Sequence, residues 1–215
     1  MKKTIGGVLL MLALLSFGPA AVMKPETKGG CYLFGMGNLV NRLGSEGDYR
    51  FGTNDFCITS AHLNFGFGLG VSYYVWKNLF LALESNLNLS GSATMTDPSD
   101  EDTVKVDTYQ NLSAFLILGY DIVRSQSSAV SLSGGGGINL LLNAESKRYT
   151  SELGYIAAIA APERKVNAAF IAGISGERMF SRHLGVTGML RFLIVAGADK
   201  TRTAFQLLAG LLLRI

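Results

Sequence analysis

The segment from Ala61 to Tyr74 places an apolar residue at every second position and a small or polar residue between, with only Tyr74 breaking the second series. Neighbouring side chains of a β-strand point to opposite faces, so this pattern predicts a strand with one apolar face. An amphipathic helix would instead repeat every ~3.6 residues. A soluble strand typically has ~5–6 residues, whereas a tilted membrane-spanning strand needs ~9–11. The length and pattern therefore predict a strand that crosses a membrane.

The segment from Thr203 to Ile215 repeats this pattern. One register is apolar throughout and consists of Phe205, Leu207, Ala209, Leu211, Leu213 and Ile215. A strand with such a face is expected in a closed membrane barrel, where the last strand must pair with the first and face lipid.

The first residues predict a secretory signal peptide over residues 1–21. Lys2 and Lys3 precede a short apolar run, Ile5–Phe17, and small residues follow it. This run is too short for a membrane anchor, which needs ~20 apolar residues. We therefore predict a cleaved signal peptide, a short N-terminal segment over residues 22–30, and a barrel domain over residues 31–215.

Composition excludes some classes of protein. Without the predicted signal peptide, the Lys and Arg count falls from 19 to 17 against 16 acidic residues, which leaves a formal net charge of +1. A nucleic-acid-binding domain would show a basic patch or stripe. The 26 glycines and only 4 prolines suit a chain of many crowded strands.

The alternation predicts an all-β fold, an eight-stranded antiparallel transmembrane β-barrel with an up-and-down meander. The predicted strands are Cys31–Val40, Ser60–Tyr74, Leu79–Gly91, Tyr109–Val123, Ala129–Leu142, Asn167–Arg178, Leu184–Val195 and Thr203–Ile215. Short turns, Val75–Asn78, Arg124–Ser128 and Met179–His183, alternate with longer connections, Asn41–Thr59, Ser92–Thr108, Asn143–Val166 and Ala196–Arg202. Because such barrels have short periplasmic turns and longer extracellular loops, this alternation predicts both termini on the periplasmic side.

The signal peptide, the eight strands and the apolar final register together resemble the small outer-membrane β-barrels, which include the OmpA membrane domain, OmpX, OmpW and the opacity proteins. The resemblance covers essentially all of the mature chain. It implies a monomer in the outer membrane of a Gram-negative type of cell, in contact with outer-membrane lipid and lipopolysaccharide and inserted by the barrel-insertion machinery. Members commonly end in an aromatic residue, whereas this chain ends in Ile215.

Four charged residues fall in the inward register of the predicted strands, namely Glu84, Glu177, Arg191 and Arg214. Ionised groups inside a narrow barrel must be paired, because isolated burial is unfavourable. Counting from the short turns places Glu84 and Arg191 at similar depth, and Glu177 and Arg214 near the periplasmic end. We interpret this ion-pair cluster as a static plug, since eight strands leave an interior that side chains can fill. The alternative is a polar path or gate for ions.

The glycine-rich segments do not predict a nucleotide site. Gly66, Gly68 and Gly70 alternate within one strand, and the run 134–137 lies within another. A phosphate-binding motif needs a helix after its glycines, and none is predicted here. Glycines inside strands instead leave room for bulky neighbours or allow bending.

No catalytic residues, metal site or cofactor site are predicted. The two histidines, His62 and His183, have no metal-ligand partner at a useful spacing. Asp100 and Asp102 in the acidic second loop could bind calcium, but their spacing does not match a calcium-binding loop, and a solvated mobile loop is the preferred interpretation.

The leading functional hypothesis is a non-enzymatic barrel that serves envelope integrity or surface interaction through its extracellular loops. An OmpW-like conduit for small or hydrophobic solutes is the alternative, followed by a lipid-modifying enzyme. A soluble lipocalin-like carrier is the structural competitor, and it would place its apolar register inside the barrel.

Overall fold

The computed structural model describes residues 29–41, 49–51, 54–55, 57–58, 62–96, 103–107, 109–142, 145, 147–150, 152, 154, 156–159, 165–196 and 201–214. The predicted signal peptide and most of the segment 22–30 lie outside the described residues. The strands are β1 (Gly29–Asn41), β2 (Tyr49–Phe51), β3 (Asn54–Asp55), β4 (Cys57–Ile58), β5 (His62–Tyr74), β6 (Leu79–Asn88), β7 (Ser92–Thr96), β8 (Thr103–Asp107), β9 (Gln110–Arg124), β10 (Ser128–Leu142), β11 (Lys147–Thr150), β12 (Ile156–Ile159), β13 (Val166–Met179), β14 (Leu184–Ala196) and β15 (Thr201–Arg214). Within this part of the chain, no helix is long and apolar enough to cross a membrane.

Eight long strands form a closed antiparallel barrel, which confirms the predicted fold class. Their order around the barrel is β1, β5, β6, β9, β10, β13, β14 and β15, and β15 pairs with β1 to close it. Each barrel strand therefore lies beside the next one along the chain, as in an up-and-down meander. The described ends differ from the predicted ones by at most three residues; β1 begins at Gly29, before the predicted start at Cys31, and β6 ends at Asn88, before Gly91.

The registers of the eight strand pairs fix the shape of the barrel. A row of paired residues can be followed once around the barrel. It starts at Tyr74 on β5, crosses each of the seven remaining barrel strands and reaches β5 again at Asn64, ten residues from Tyr74. A stagger of this size requires strongly tilted strands, at roughly 35–45° to the barrel axis. The resulting interior is only wide enough to be filled by side chains.

The outer surface of the barrel is apolar. The predicted outward residues Leu83, Leu116 and Leu211 are 64%, 61% and 57% exposed, whereas Glu84 and Asn86 are each 1% exposed inside. A continuous apolar surface of this kind is compatible with lipid and not with water. The predicted assignment of the two faces is therefore confirmed, and it is the reverse of the arrangement in a lipocalin-like carrier.

The long connections between barrel strands meet beyond one end of the barrel, which we call the loop end; the other is the short-turn end. Two small sheets form there, with strand orders β11-β12-β2-β3 and β4-β7-β8. The first connection thus pairs with the third through β2 and β12, and with the second through β4 and β7. The second connection contains a hairpin of β7 and β8, in which Val104 and Val106 are 2% and 1% exposed. The mobile acidic loop stays a prediction. Asp100 and Asp102 lie outside the described residues.

Candidate functional site

An ion pair crosses the lumen at the level of Glu84 and Arg191. Glu84 is on β6, the third strand around the barrel from β1, and Arg191 is on β14, the seventh, so the two residues extend from opposite walls. Arg191 Nη2 donates to Glu84 Oε2 at 2.6 Å, and Arg191 Nη1 donates to Glu84 Oε1. Two parallel hydrogen bonds of this kind make a strong and directional contact. The structure therefore brings these two predicted residues together across the full width of the interior.

Both partners of this ion pair have further contacts. Tyr32 Oη donates to Glu84 Oε2 at 3.2 Å, and Asn86 Nδ2 donates to Glu84 Oε1 at 2.9 Å. The Arg191 guanidinium lies 6.0 Å from the centre of the Phe34 ring. Since Glu84 and Arg191 are only 1% and 4% exposed, these contacts supply the compensation that a buried pair needs.

Glycines on β5 make room for the two aromatic rings that lie beside the ion pair. A Cβ at Gly68 would lie 2.5 Å from Phe34 Cζ, and one at Gly70 would lie 2.3 Å from Tyr32 Cζ. The rings of Tyr32 and Phe34 also stack, with centroids 5.8 Å apart. The alternating glycines therefore serve packing, as the sequence interpretation proposed.

A second charged cluster closes the lumen at the short-turn end. Asp121 on β9 is fully buried and accepts hydrogen bonds from Ser131 Oγ at 2.7 Å and Tyr74 Oη at 3.4 Å. Arg124 Nη1 lies 3.4 Å from Asp121 Oδ2, and its guanidinium lies 4.1 Å from the centre of the Tyr74 ring. Arg124 also donates to the carbonyl of Lys77 at 2.6 Å. We call Asp121, Arg124, Tyr74 and Ser131 the lumen floor.

The lumen floor depends on a β-bulge in β9. Val123 pairs with Val130 and Asp121 pairs with Ser131, which leaves Ile122 without a partner on β10. Ile122 and Val123 are both exposed outside, so the inward register moves by one residue and Arg124 turns inward. The predicted turn Arg124–Ser128 is therefore wrong at both ends, because Arg124 belongs to β9 and Ser128 belongs to β10. Sequence reasoning missed the floor; the inward register contained Asp121, but nothing in the sequence marked the bulge.

The second predicted pair, Glu177 and Arg214, also meets at the short-turn end. Arg214 Nη2 lies 3.7 Å from Glu177 Oε2, and both side chains are partly exposed. The main-chain carbonyl of Arg214 also lies 3.2 Å from His183 Nδ1. A long and partly solvated ion pair contributes little stability, so this contact is secondary to the central one.

Amide side chains line part of the lumen nearer the loop end. Asn88 Nδ2 and Asn139 Nδ2 both donate to Asn111 Oδ1, at 2.7 and 3.0 Å, and Asn139 Nδ2 also donates to Ser113 Oγ at 2.8 Å. The lumen also contains apolar side chains, with a buried cluster that includes Phe115 at 1% exposure. In the described part of the chain, no three His, Cys, Asp or Glu side chains are grouped to hold a metal ion.

Comparison with known proteins gives matches of architecture. The N-terminal β-barrel domain of Pseudomonas aeruginosa OprF matches with 10% identity and a TM-score of 0.48, over 88% of this chain and 100% of that chain. Outer membrane protein OprG of Pseudomonas aeruginosa matches with 13% identity and a TM-score of 0.48, over 90% and 99% of the two chains. Ail, the attachment invasion locus protein of Yersinia pestis, matches with 10% identity and a TM-score of 0.43, over 87% and 99%. No protein-family model and no curated protein sequence matches the chain.

Proposed function

We propose that the chain is a non-enzymatic outer-membrane β-barrel with a closed lumen, which acts in envelope integrity or surface interaction through its extracellular loops. The observation that carries this proposal is the ion pair between Glu84 and Arg191, which joins opposite walls of the lumen. A solute would have to break this buried pair, and an ion would then meet the lumen floor around Asp121. Two barriers in series support a structural or surface role over transport.

The proposed location rests on the apolar outer surface and on the predicted signal peptide. Outer-membrane lipid and lipopolysaccharide would cover that surface, and the barrel-insertion machinery would place a monomer there. With the short turns on the periplasmic side, the two small sheets at the loop end would face the outside of the cell. These sheets join three long connections into one surface, which is the part of the molecule available to external partners.

Single-channel recording in planar bilayers tests the closed lumen. The refolded barrel is expected to give no discrete conductance steps above a protein-free bilayer. Folding is checked separately in the same lipid, so that an absence of current cannot be due to unfolded protein. A stable, ion-selective current from the unmodified barrel would contradict the proposal and favour the conduit for small or hydrophobic solutes.

Complementation separates the two roles within the proposal. A strain without the protein is expected to become more sensitive to detergent if the barrel serves envelope integrity. Rescue by a variant with residues 147–159 replaced by a short Gly-Ser linker would assign that role to the barrel itself. Failure of this folded variant to rescue would assign it to the loop sheets, which contain β11 and β12. Unchanged sensitivity in the deletion strain would contradict a role in integrity.

A further inference from the structure

Two of the three short turns have the same backbone geometry. In the turn 75–78, two successive N–H groups donate to the carbonyl of Leu79 at 2.9 and 3.2 Å. In the turn 180–183, two successive N–H groups donate to the carbonyl of Leu184 at 2.9 and 3.1 Å. Both turns are therefore closed by their own backbone, which fixes where they present their side chains.

Each of these two turns presents an aromatic side chain beside a cation. Trp76 is 75% exposed and is followed by the exposed Lys77. Phe180 is 64% exposed and lies two residues before the exposed Arg182. The remaining turn, which contains Ser125, Gln126 and Ser127, has neither an aromatic nor a charged residue. Tryptophan and phenylalanine suit the boundary between hydrocarbon and headgroups, and the cations beside them suit its negative charge.

Among the described residues, the short turns carry positive charge on the outside of the short-turn end. In this part of the chain, the acidic side chains of that end are Asp121 and Glu177, which point into the lumen and face Arg124 and Arg214. None of the residues 75–78, 125–127 and 180–183 is acidic. Lys77 and Arg182 therefore have no acidic neighbour within these turns, and they complement an anionic surface.

The two turns lie on opposite sides of the barrel. The turn 75–78 joins β5 to β6, the second and third strands around the barrel, and the turn 180–183 joins β13 to β14, the sixth and seventh. Because each turn has only four residues, its charged side chain stays within two or three residues of a strand end. A residue of extended chain spans ~3.3 Å, so each of these cations lies within about 10 Å of a strand end.

We propose that the turns 75–78 and 180–183 form a two-point anchor that binds anionic phospholipid headgroups at the short-turn end of the barrel. The aromatic rings lie at the boundary of the hydrocarbon, while Lys77 and Arg182 contact lipid phosphates. Two attachment points on opposite sides fix the depth and tilt of the barrel, which one point would not. This inference rests on the membrane location proposed above. Each cation is expected to enrich anionic lipid locally by about fivefold.

Trp76 is the only tryptophan of the chain, so its fluorescence reports directly on one anchor point. The barrel is reconstituted in phosphatidylcholine vesicles that contain a small fraction of brominated phosphatidylglycerol or, in parallel, of brominated phosphatidylcholine. The readout is the ratio of the amount of brominated phosphatidylcholine to the amount of brominated phosphatidylglycerol that quenches Trp76 equally. This ratio is expected to be about five for the unmodified barrel. Lys77→Gln is expected to reduce this ratio to near one, and high salt is expected to reduce it in the unmodified barrel.

Two control variants test whether the effect is local. Lys105→Gln removes an exposed cation at the loop end and is expected to leave the ratio unchanged. Arg182→Gln lies on the opposite side of the barrel and is also expected to leave the ratio at Trp76 unchanged. In the double variant Trp76→Phe/Phe180→Trp, the probe moves to the other turn. There Arg182→Gln is expected to reduce the ratio and Lys77→Gln to leave it unchanged.

Equal quenching by the two brominated lipids in the unmodified barrel would overturn the anchor. A loss of preference in Lys105→Gln as large as that in Lys77→Gln would also overturn it, since the effect would then be one of net charge. If neither brominated lipid quenched Trp76 of the folded barrel, the turn 75–78 would lie outside the bilayer and the anchor would be overturned. Failure of the folded barrel to float with the vesicles would instead contradict the proposed membrane location.

Discussion

Removal of Arg191 alone is expected to destabilise the barrel strongly. Arg191→Met takes away both charge-assisted hydrogen bonds to Glu84 and leaves a carboxylate that is 1% exposed. Breaking a buried pair in this way typically lowers the free energy of unfolding by ~3–5 kcal/mol. Tyr32 and Asn86 still donate to Glu84, so we expect a loss at the lower end of this range.

The double replacement Glu84→Gln/Arg191→Met distinguishes a buried ion pair from simple space filling. A glutamine at position 84 keeps one acceptor oxygen, so it can accept from Tyr32 or from Asn86, which donate to different oxygens of Glu84. A methionine at position 191 fills most of the arginine volume. Neutral residues of similar size commonly replace a buried pair with little loss, so we expect a decrease of ~1 kcal/mol. Glu84→Gln alone leaves a buried guanidinium that also donates to Met189 Sδ, at 2.8 Å, and this variant should be the least stable of the three.

Urea titrations in phospholipid vesicles measure these free energies, provided that the slope with urea stays constant across the variants. Arg148→Met, at an exposed position of β11 at the loop end, is the matched control and is expected to change the free energy of unfolding by less than ~0.5 kcal/mol. The decisive comparison is the order of stability. If the double variant is less stable than Arg191→Met, or if Arg191→Met is within ~1 kcal/mol of the unmodified barrel, the ion pair does not hold the lumen together.

The remaining predictions concern the outer face, the glycines and the orientation. Leu116→Arg should destabilise the barrel folded in lipid by ~2–4 kcal/mol, while Val123→Arg, next to a turn, should destabilise it by ~1 kcal/mol or less. Equal losses of stability in a refolding titration would refute the assigned depths. Gly70→Ala should destabilise by ~1–3 kcal/mol because its Cβ would meet the Tyr32 ring, whereas Gly35→Ala, which meets nothing within 4 Å, should not; thermal unfolding of both variants decides. A cysteine at exposed Glu152 should react with an impermeant maleimide on whole cells, and one at exposed Gln126 only after the outer membrane is opened; the reverse pattern would invert the topology.

The sequence was sufficient to predict the barrel and the inward faces of its strands. Strands such as His62–Tyr74 were predictable because alternation over more than ten residues leaves one choice of inward face. Once the faces were assigned, the inward charges could be counted from the turns, which placed Glu84 and Arg191 at one depth. Hydrophobic patterning therefore predicts the two faces of the barrel wall, and the turn positions predict the depth of its inward charges.

The lumen floor and the loop sheets could not be predicted in the same way. The bulge places two consecutive apolar residues, Ile122 and Val123, on the outer face where a regular strand would place one. Since either arrangement leaves an apolar surface toward lipid, the hydrophobic pattern does not reveal the bulge. The inward turn of Arg124 follows only from the pairing of β9 with β10. The pairing of β2 with β12 joins segments that are distant in the chain, and strands of three and four residues are too short for a register signal that would identify the partner.

Closure of the barrel imposes an order on folding. β1 pairs with β15 from Gly30 and Arg214 to Asn41 and Thr203, so the seam joins the strands that are farthest apart in the chain. All other neighbours around the barrel are consecutive barrel strands and can pair as hairpins or across one long connection. Forming the most distant contact requires the largest loss of chain entropy before it gains any stability. The seam should therefore form last, and until it does, β1 and β15 present unpaired edges on which another chain could add a strand.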